Sequence, residues 1–265
     1  MSKKTKKTPI DKYALYSHSV QEPDVEVRFL RELYRDLKGR APRILREDFC
    51  GTFAMCCAWA KLGPGCRAYG RDLSHEPIRY GRTRYLPKLS AAQRARVRIE
   101  EKNVLTPGGP RADVVIALNF SYFIFKARAD LKKYFVNCRR NLRPGGVLAL
   151  DCFGGADSMK PNKESTVYRR FVYHWEQYGH DPISGEARCS IHFKPKGRKK
   201  IKDVFTYDWR LWTLPELRDL LAEAGFRKTH IYWEGGSKLK GNGIFTRSDK
   251  VEIEPVWIAY IAAEK

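Results

Sequence analysis

Two rhythms of apolar residues alternate along this chain. Over 25–38, Val27, Leu30, Tyr34 and Leu37 recur at helical spacing, behind Asp24 as a candidate N-cap and before Gly39 as a stop. A short strand at 43–48 follows. It leads into an apolar helix, Ala54 to Ala60, that ends before Gly63-Pro64-Gly65. A strand at 66–72 precedes a helix that Ser74 can cap, with Pro77 in its first turn. Val97 to Glu101 reads as a third strand. Asp113 to Leu118 is almost continuously apolar, as a strand buried on both faces is. A helix near 129–141 presents Leu131, Tyr134, Phe135 and Cys138, and Leu142-Arg143-Pro144-Gly145-Gly146 turns into a fifth strand, Val147 to Asp151.

Past that strand the rhythm changes to period two. Val167–Tyr178, Ala187–Phe193 and Val204–Trp209 read as strands separated by Asp181-Pro182-Ile183-Ser184-Gly185 and by a lysine-rich turn. Residues 155–210 are therefore expected to form a small antiparallel insertion over the carboxyl ends of the main strands, where open α/β sheets bind ligands. Thr213-Leu214-Pro215-Glu216 has the form of a capping box for a helix ending at Gly225. Two strands, near 227–234 and 253–263, complete the chain.

Alternating strands and helices imply an open α/β sheet. In such a sheet the most informative segment is Ile44-Leu45-Arg46-Glu47-Asp48-Phe49-Cys50-Gly51-Thr52-Phe53, a strand running into a tight turn and then a helix. The next strand ends in an acid, Asp72. A close backbone turn followed by a strand-end carboxylate is how such folds hold an adenosine-type ligand, the carboxylate accepting from the ribose hydroxyls. A pyrophosphate would require three glycines here. Only Gly51 is in place, so a cofactor without phosphate fits better.

On these residues the chain resembles the class I S-adenosylmethionine-dependent methyltransferases. Their first motif usually reads acidic-x-Gly-x-Gly-x-Gly, and Glu47, Phe49, Gly51 and Phe53 stand at those positions. The acid and the central glycine match, and two phenylalanines replace the outer glycines. The helix, Arg-Pro-Gly-Gly turn and fifth strand match in the same order, so the likeness covers 43–153, and the closing helix and antiparallel strands extend it to the C-terminus. The resemblance implies a Rossmann-like seven-stranded sheet with helices on both faces. It implies S-adenosyl-L-methionine as cofactor, held by Glu47, Phe49, Cys50, Gly51, Asp72, Leu73, Asn103, Val104 and Asn119. Glu47 would meet the amino end, Asp72 the ribose, and Asn103 with the Val104 amide the adenine edge. Cys50 would serve through its backbone.

Asn119-Phe120-Ser121-Tyr122 loosely matches the Asn-Pro-Pro-Tyr of amino-group methyltransferases. Asn119 and Tyr122 are the candidate catalytic residues, orienting an acceptor nitrogen or oxygen; a helix cap and a packed ring are the alternative. The segment Tyr13–Gln21, with aromatics at i and i+3, is either a lid over the cofactor or simple packing. The domain plan is thus a tail and lid at 1–24 and a methyltransferase domain at 25–265, with 155–210 inserted.

The net charge of +21 bears on partners. Its clusters are the N-terminal lysines and Lys194 to Lys202, which suit an anionic partner such as RNA, although a uniformly basic proteome or a solvated surface accounts for them slightly better. A small-molecule acceptor is the first expectation, because the insertion reads as a closing lid. RNA or protein methylation, or a non-catalytic nucleic-acid binder, are the alternatives. The seven cysteines are odd in number and form no Cys-x-x-Cys pair, and no histidine has ligand spacing, so no metal is expected. Trp175, Trp209 and Trp212 read as core more than as a cation cage. With no signal peptide and no apolar run near the roughly 20 residues of a membrane span, a cytoplasmic protein is expected.

Overall fold

The computed structural model describes residues 10–237, 240–252 and 254–265. The N-terminal lysines, with the first nine residues of the expected tail, lie outside them. The chain opens with α1 (Lys12–Val20) and α2 (Pro23–Lys38). Then come β1 (Ile44–Asp48), α3 (Ala54–Lys61), β2 (Arg67–Asp72), α4 (His75–Arg84), the short α5 (Ala91–Arg94) and β3 (Val97–Glu101). Next are β4 (Ala112–Ala117), α6 (Arg128–Asn141) and β5 (Leu142–Gly154). The insertion holds β6 (Asn162–Val167), β7 (Phe171–His180), β8 (Glu186–Pro195) and β9 (Ile201–Arg210). The chain closes with α7 (Leu214–Glu223), β10 (Lys228–Ser237), β11 (Lys240–Arg247) and β12 (Trp257–Glu264).

The main sheet runs β11-β10-β12-β5-β4-β1-β2-β3. β1 to β5 are parallel, and β12 enters antiparallel between β5 and β10. The expected seven strands are all present. β11 adds an eighth at the edge, in a glycine-bearing stretch, KGNGIFTR, with no apolar alternation to announce it. Each sheet face carries its own core. One packs α2, α3 and α4 through Leu30, Tyr34, Trp59 and Ile78; the other packs α6 and α7 through Leu131, Phe135, Leu217 and Leu221. Among the described residues no helix is long and apolar enough to cross a membrane, and all seven cysteines are buried free thiols.

Four local expectations change. α2 starts at Pro23 and Asp24 sits inside it, because proline's fixed φ suits the first helical position. Ser74 precedes α4, but its side chain caps nothing. Its amide instead donates to Asp72 Oδ1 at 2.8 Å. The Arg-Pro-Gly-Gly segment belongs to β5. There Gly145, at φ +72°, absorbs a register shift against β4. The insertion has four strands, β6-β7-β8-β9; β6, NKESTV, is a largely exposed edge strand held through its ladder to β7, so no apolar pattern marks it.

Candidate functional site

The strand order reverses between β1 and β4, and open α/β sheets bind ligands at the carboxyl ends of the strands at such a point. Three residues of the turn after β1 lie in the left-handed region: Phe49 at φ +58°, Gly51 at +49° and Phe53 at +49°. For the phenylalanines this backbone costs of order 1 kcal/mol or more each, and packing holds them there. Phe53 is fully buried under α4. Gly81 makes room for it: a Cβ there would lie 2.2 Å from the Thr52 carbonyl and 2.5 Å from the Phe53 ring. Phe49 packs on Phe125 and Tyr134. The turn thus keeps the backbone path of a glycine-rich loop, with both rings packed among core residues. The Cys50 side chain is buried against Gly70, where a Cβ would approach its Sγ to 2.8 Å.

The turn is tied to β2 by Asp72, whose Oδ2 accepts from the Gly51 amide at 2.7 Å. Beside it Leu73 is 64% exposed, an apolar surface at a strand end. In the loop after β3, Val104 is buried and Asn103 is exposed. The Asn103 side chain accepts from the Leu105 amide at 2.8 Å, forming a turn on its own backbone. That loop is fastened from below. Asn137 donates to the Val104 carbonyl at 2.6 Å, and Arg71 donates to the carbonyls of Thr106 and Gly108, both at 2.7 Å.

Three carboxylates, Glu47, Asp151 and Glu26, lie close enough to act on one another. Glu47 accepts from the Cys56 amide at 3.1 Å and from its thiol at 3.0 Å, and burial pushes its pKa up to about 8. Asp151, in β5, accepts from the amides of Asn119 at 2.6 Å and Phe120 at 3.0 Å; burial raises it to about 7. Glu26, in the first turn of α2, is raised to about 7 by burial and then by Asp151, and its Oε2 is enclosed without a partner. Among the described residues no ion pair involves any of the three. Buried carboxylates without a cation are costly, and a cationic ligand relieves that cost. S-adenosylmethionine carries an ammonium and a sulfonium, so the donor set fits it.

α1 lies across this edge. Burial and then Glu76 raise the Tyr13 hydroxyl to about 12, with Asp72 also acting on it, while burial raises the Tyr16 hydroxyl, with Tyr207, Asp151 and Glu26 acting on it. The Asp11 side chain accepts from the Ala14 amide and from Tyr80, fixing the helix start. Tyr13 and Tyr16 also pack on Phe205 of the insertion. Next to Tyr16 a cavity of about 220 Å³ opens between the main sheet and the insertion. Asn119, Phe120 and Phe153 wall one side, and Trp175, Tyr207 and Trp209 the other.

Residues 50–148, from the turn into β5, match the family model described as "Methyltransferase domain". A malonyl-[acyl-carrier protein] O-methyltransferase from Xylella fastidiosa is 27% identical over 236 residues, 86% of this chain and 72% of that one. Residues 50–148 thus form a class I S-adenosylmethionine-dependent methyltransferase domain. The fold agrees. An S-adenosylmethionine-dependent methyltransferase from Clostridium acetobutylicum superposes with a TM-score of 0.70 at 15% identity, over 95% of this chain and 96% of the other. An amino pentose methyltransferase from Micromonospora echinaspora, solved with S-adenosylmethionine bound, gives 0.67 at 16% identity, over 98% and 99%.

Within this methyltransferase the candidate residues separate. Gly51 and Asp72 are joined by their hydrogen bond and Glu47 lies in the preceding strand β1, while Asn119, bonded to Asp151, lines the cavity. Tyr122 does not reach the acceptor space. It is fully buried and its hydroxyl donates to the Asp151 carbonyl at 2.8 Å, which makes it the packed ring of the two sequence readings. Trp209 and Trp212 are 2% exposed, and Trp209 both belongs to the core and borders the cavity. The residues missed in the sequence are Glu26 and Asp151. Asp151 carried one visible signal, an acid closing a strand of Val, Leu and Ala.

Proposed function

We propose that this methyltransferase transfers a methyl group to the nitrogen or oxygen of a small molecule enclosed between the main sheet and the insertion. The observation that carries this is the cavity itself. It is walled by aromatic side chains of both sheets and meets the acidic cleft at the Asn119–Asp151 contact.

When bound, S-adenosylmethionine supplies an electrophilic methyl group on a good leaving group. The protein's task is then to place the acceptor and exclude water. Asp72 would take the ribose hydroxyls, with Leu73 and the fastened Asn103–Val104 loop at the base. Glu47, Asp151 and Glu26 would surround the cationic methionine end. α1 would close the cleft as a lid, since Tyr13 sits at its Asp72 end and Tyr16 at its Asp151 end. The relatives support a small acceptor: among the similar structures are a sugar N-methyltransferase and a glycopeptide N-methyltransferase.

RNA is less well supported, because no residue of the basic Lys194–Lys202 hairpin lines the cavity. The test is incubation with methyl-labelled S-adenosylmethionine and host lysate, split into metabolite, protein and RNA fractions, with Asp72→Ala as control. Label in the metabolite fraction is expected. Label in RNA or protein that disappears with Asp72→Ala would overturn the small-molecule reading.

A further inference from the structure

The cavity beneath the insertion is suited to charge of one sign. Its described lining includes the carboxylates Asp157 and Glu164 and no lysine, arginine or histidine, in a chain whose formal charge is +21. Asp157 is paired with Lys160 at 2.7 Å. Glu164 accepts from the Asn162 side-chain Nδ2 at 2.7 Å and stands opposite Trp175 in the β6–β7 ladder, on the cavity side. Behind Tyr16 lie Asp151 and Glu26.

One wall is a run of π faces. The rings of Trp175, Tyr207 and Trp209 have centroids 4.4 to 6.2 Å apart and planes within 39° of one another. Aromatic faces are electronegative and attract a cation, most strongly when water is excluded. An anion in the same space would lose its hydration and face both the ring quadrupoles and the carboxylates.

We propose that the methyl acceptor is a small amine whose nitrogen lies against the Trp175–Tyr207–Trp209 platform. This rests on the methyltransferase reading above and narrows it from nitrogen or oxygen to nitrogen, excluding carboxylate and phosphate acceptors. The cavity, about 220 Å³ and partly open to solvent, has room for at least one ring, since about 150 Å³ holds a benzene-sized molecule. An acceptor that enters as an ammonium first gives one proton to water; the nitrogen lone pair this frees forms the N–CH₃ bond, and the S–CH₃ bond breaks with its electron pair left on sulfur. The positive charge moves from sulfur to nitrogen, and the π faces and Glu164 stabilise it where it arrives.

Binding tests this without turnover. With S-adenosylhomocysteine present, tryptophan fluorescence is titrated with three probes of matched shape: phenethyltrimethylammonium, its neutral carbon isostere 3,3-dimethylbutylbenzene, and 3-phenylpropionate. The cation should bind roughly 5- to 30-fold tighter than the neutral isostere, the range expected of a desolvated cation–π contact, and the carboxylate should not saturate. Glu164→Gln, on an exposed edge strand, and Trp175→Leu should each weaken the cation several-fold. Neither should change the Kd of S-adenosylhomocysteine. Equal affinity for cation and neutral isostere, or saturable binding of the carboxylate, would overturn the amine assignment with cofactor binding intact. No binding of S-adenosylhomocysteine by the unmodified protein would instead remove the methyltransferase reading beneath it.

Discussion

The Asp72 carboxylate accepts a hydrogen bond from the Gly51 amide at 2.7 Å, so the end of β2 and the turn after β1 are held by one side chain. A second oxygen of the same group takes the Ser74 amide. A ligand that adds hydroxyl donors to this carboxylate meets it already oriented. Asp72→Ala removes the charge, the orientation and the support of the turn together. Loss of a charge-assisted hydrogen bond is worth about 1.5–3 kcal/mol, so S-adenosylhomocysteine affinity should fall roughly 10- to 150-fold. Isothermal calorimetry checks this, with circular dichroism to confirm the fold.

The acidic end of the cleft predicts a pH dependence. Glutamate ordinarily titrates at 4.5 and aspartate at 3.8; burial raises Glu47 to about 8 and Asp151 and Glu26 to about 7. Raised carboxyl values mean that the folded protein resists ionisation. Below pH 4 both states are protonated and nothing is lost. As pH rises toward 8 the unfolded chain ionises first, so the unliganded fold loses stability over that window. A ligand ammonium favours the ionised carboxylates. The melting-temperature gain from S-adenosylhomocysteine should therefore grow between pH 6 and 8.5, with protons released on binding. Calorimetry in two buffers of different ionisation enthalpy measures that release. A pH-independent gain would show that these acids do not face the ligand's cation.

Tyr122 separates packing from catalysis. Tyr122→Phe keeps the ring and removes the hydrogen bond to the Asp151 carbonyl. It should cost about 1 kcal/mol of stability, and kcat should stay within about twofold of the parent's. A kcat loss of a hundredfold with KM unchanged would place its hydroxyl at the acceptor after all.

Phe53 sets strain against burial. Phe53→Gly relieves a left-handed backbone, worth about 1 kcal/mol. It also empties a fully buried ring site, and loss of a buried phenylalanine costs about 3–5 kcal/mol. Burial wins, so the melting temperature should fall by roughly 4–16 °C, at about 2–4 °C per kcal/mol for a chain of this size. Gly81→Ala should reach the same turn from the other side. Its Cβ must displace the Thr52 carbonyl, so cofactor affinity should fall with stability.

The elements that were legible in the sequence are those whose burial repeats. β4, open to neither face, reads as an unbroken apolar run, and α7 announces its start through the Thr213–Glu216 box, found with both hydrogen bonds made. β6 and β11 were not legible, because their strands are placed chiefly by backbone pairing to β7 and β10. The site divides the same way. Asp72 stands out as an acid after an apolar strand. Glu26 lies in a charged first turn, and nothing local shows that α2 turns its Oε2 away from solvent. Asn103 matched its position, yet its side chain is spent on its own turn.

The seat of β12 between β5 and β10 governs how the chain can be assembled. Strands β1 to β5 can pair as they leave the ribosome, carrying the Gly51 turn and Asp72 with them. β10 and β11 have no place beside β5 until residues 257–264 have been synthesised and slotted in. The cofactor half is thus complete early, while the face beside the cavity, where Ile258 of β12 sits, closes last. An arrested or truncated nascent chain would present the formed β1–β5 sheet with an unpaired edge, the kind of surface that chaperones cover.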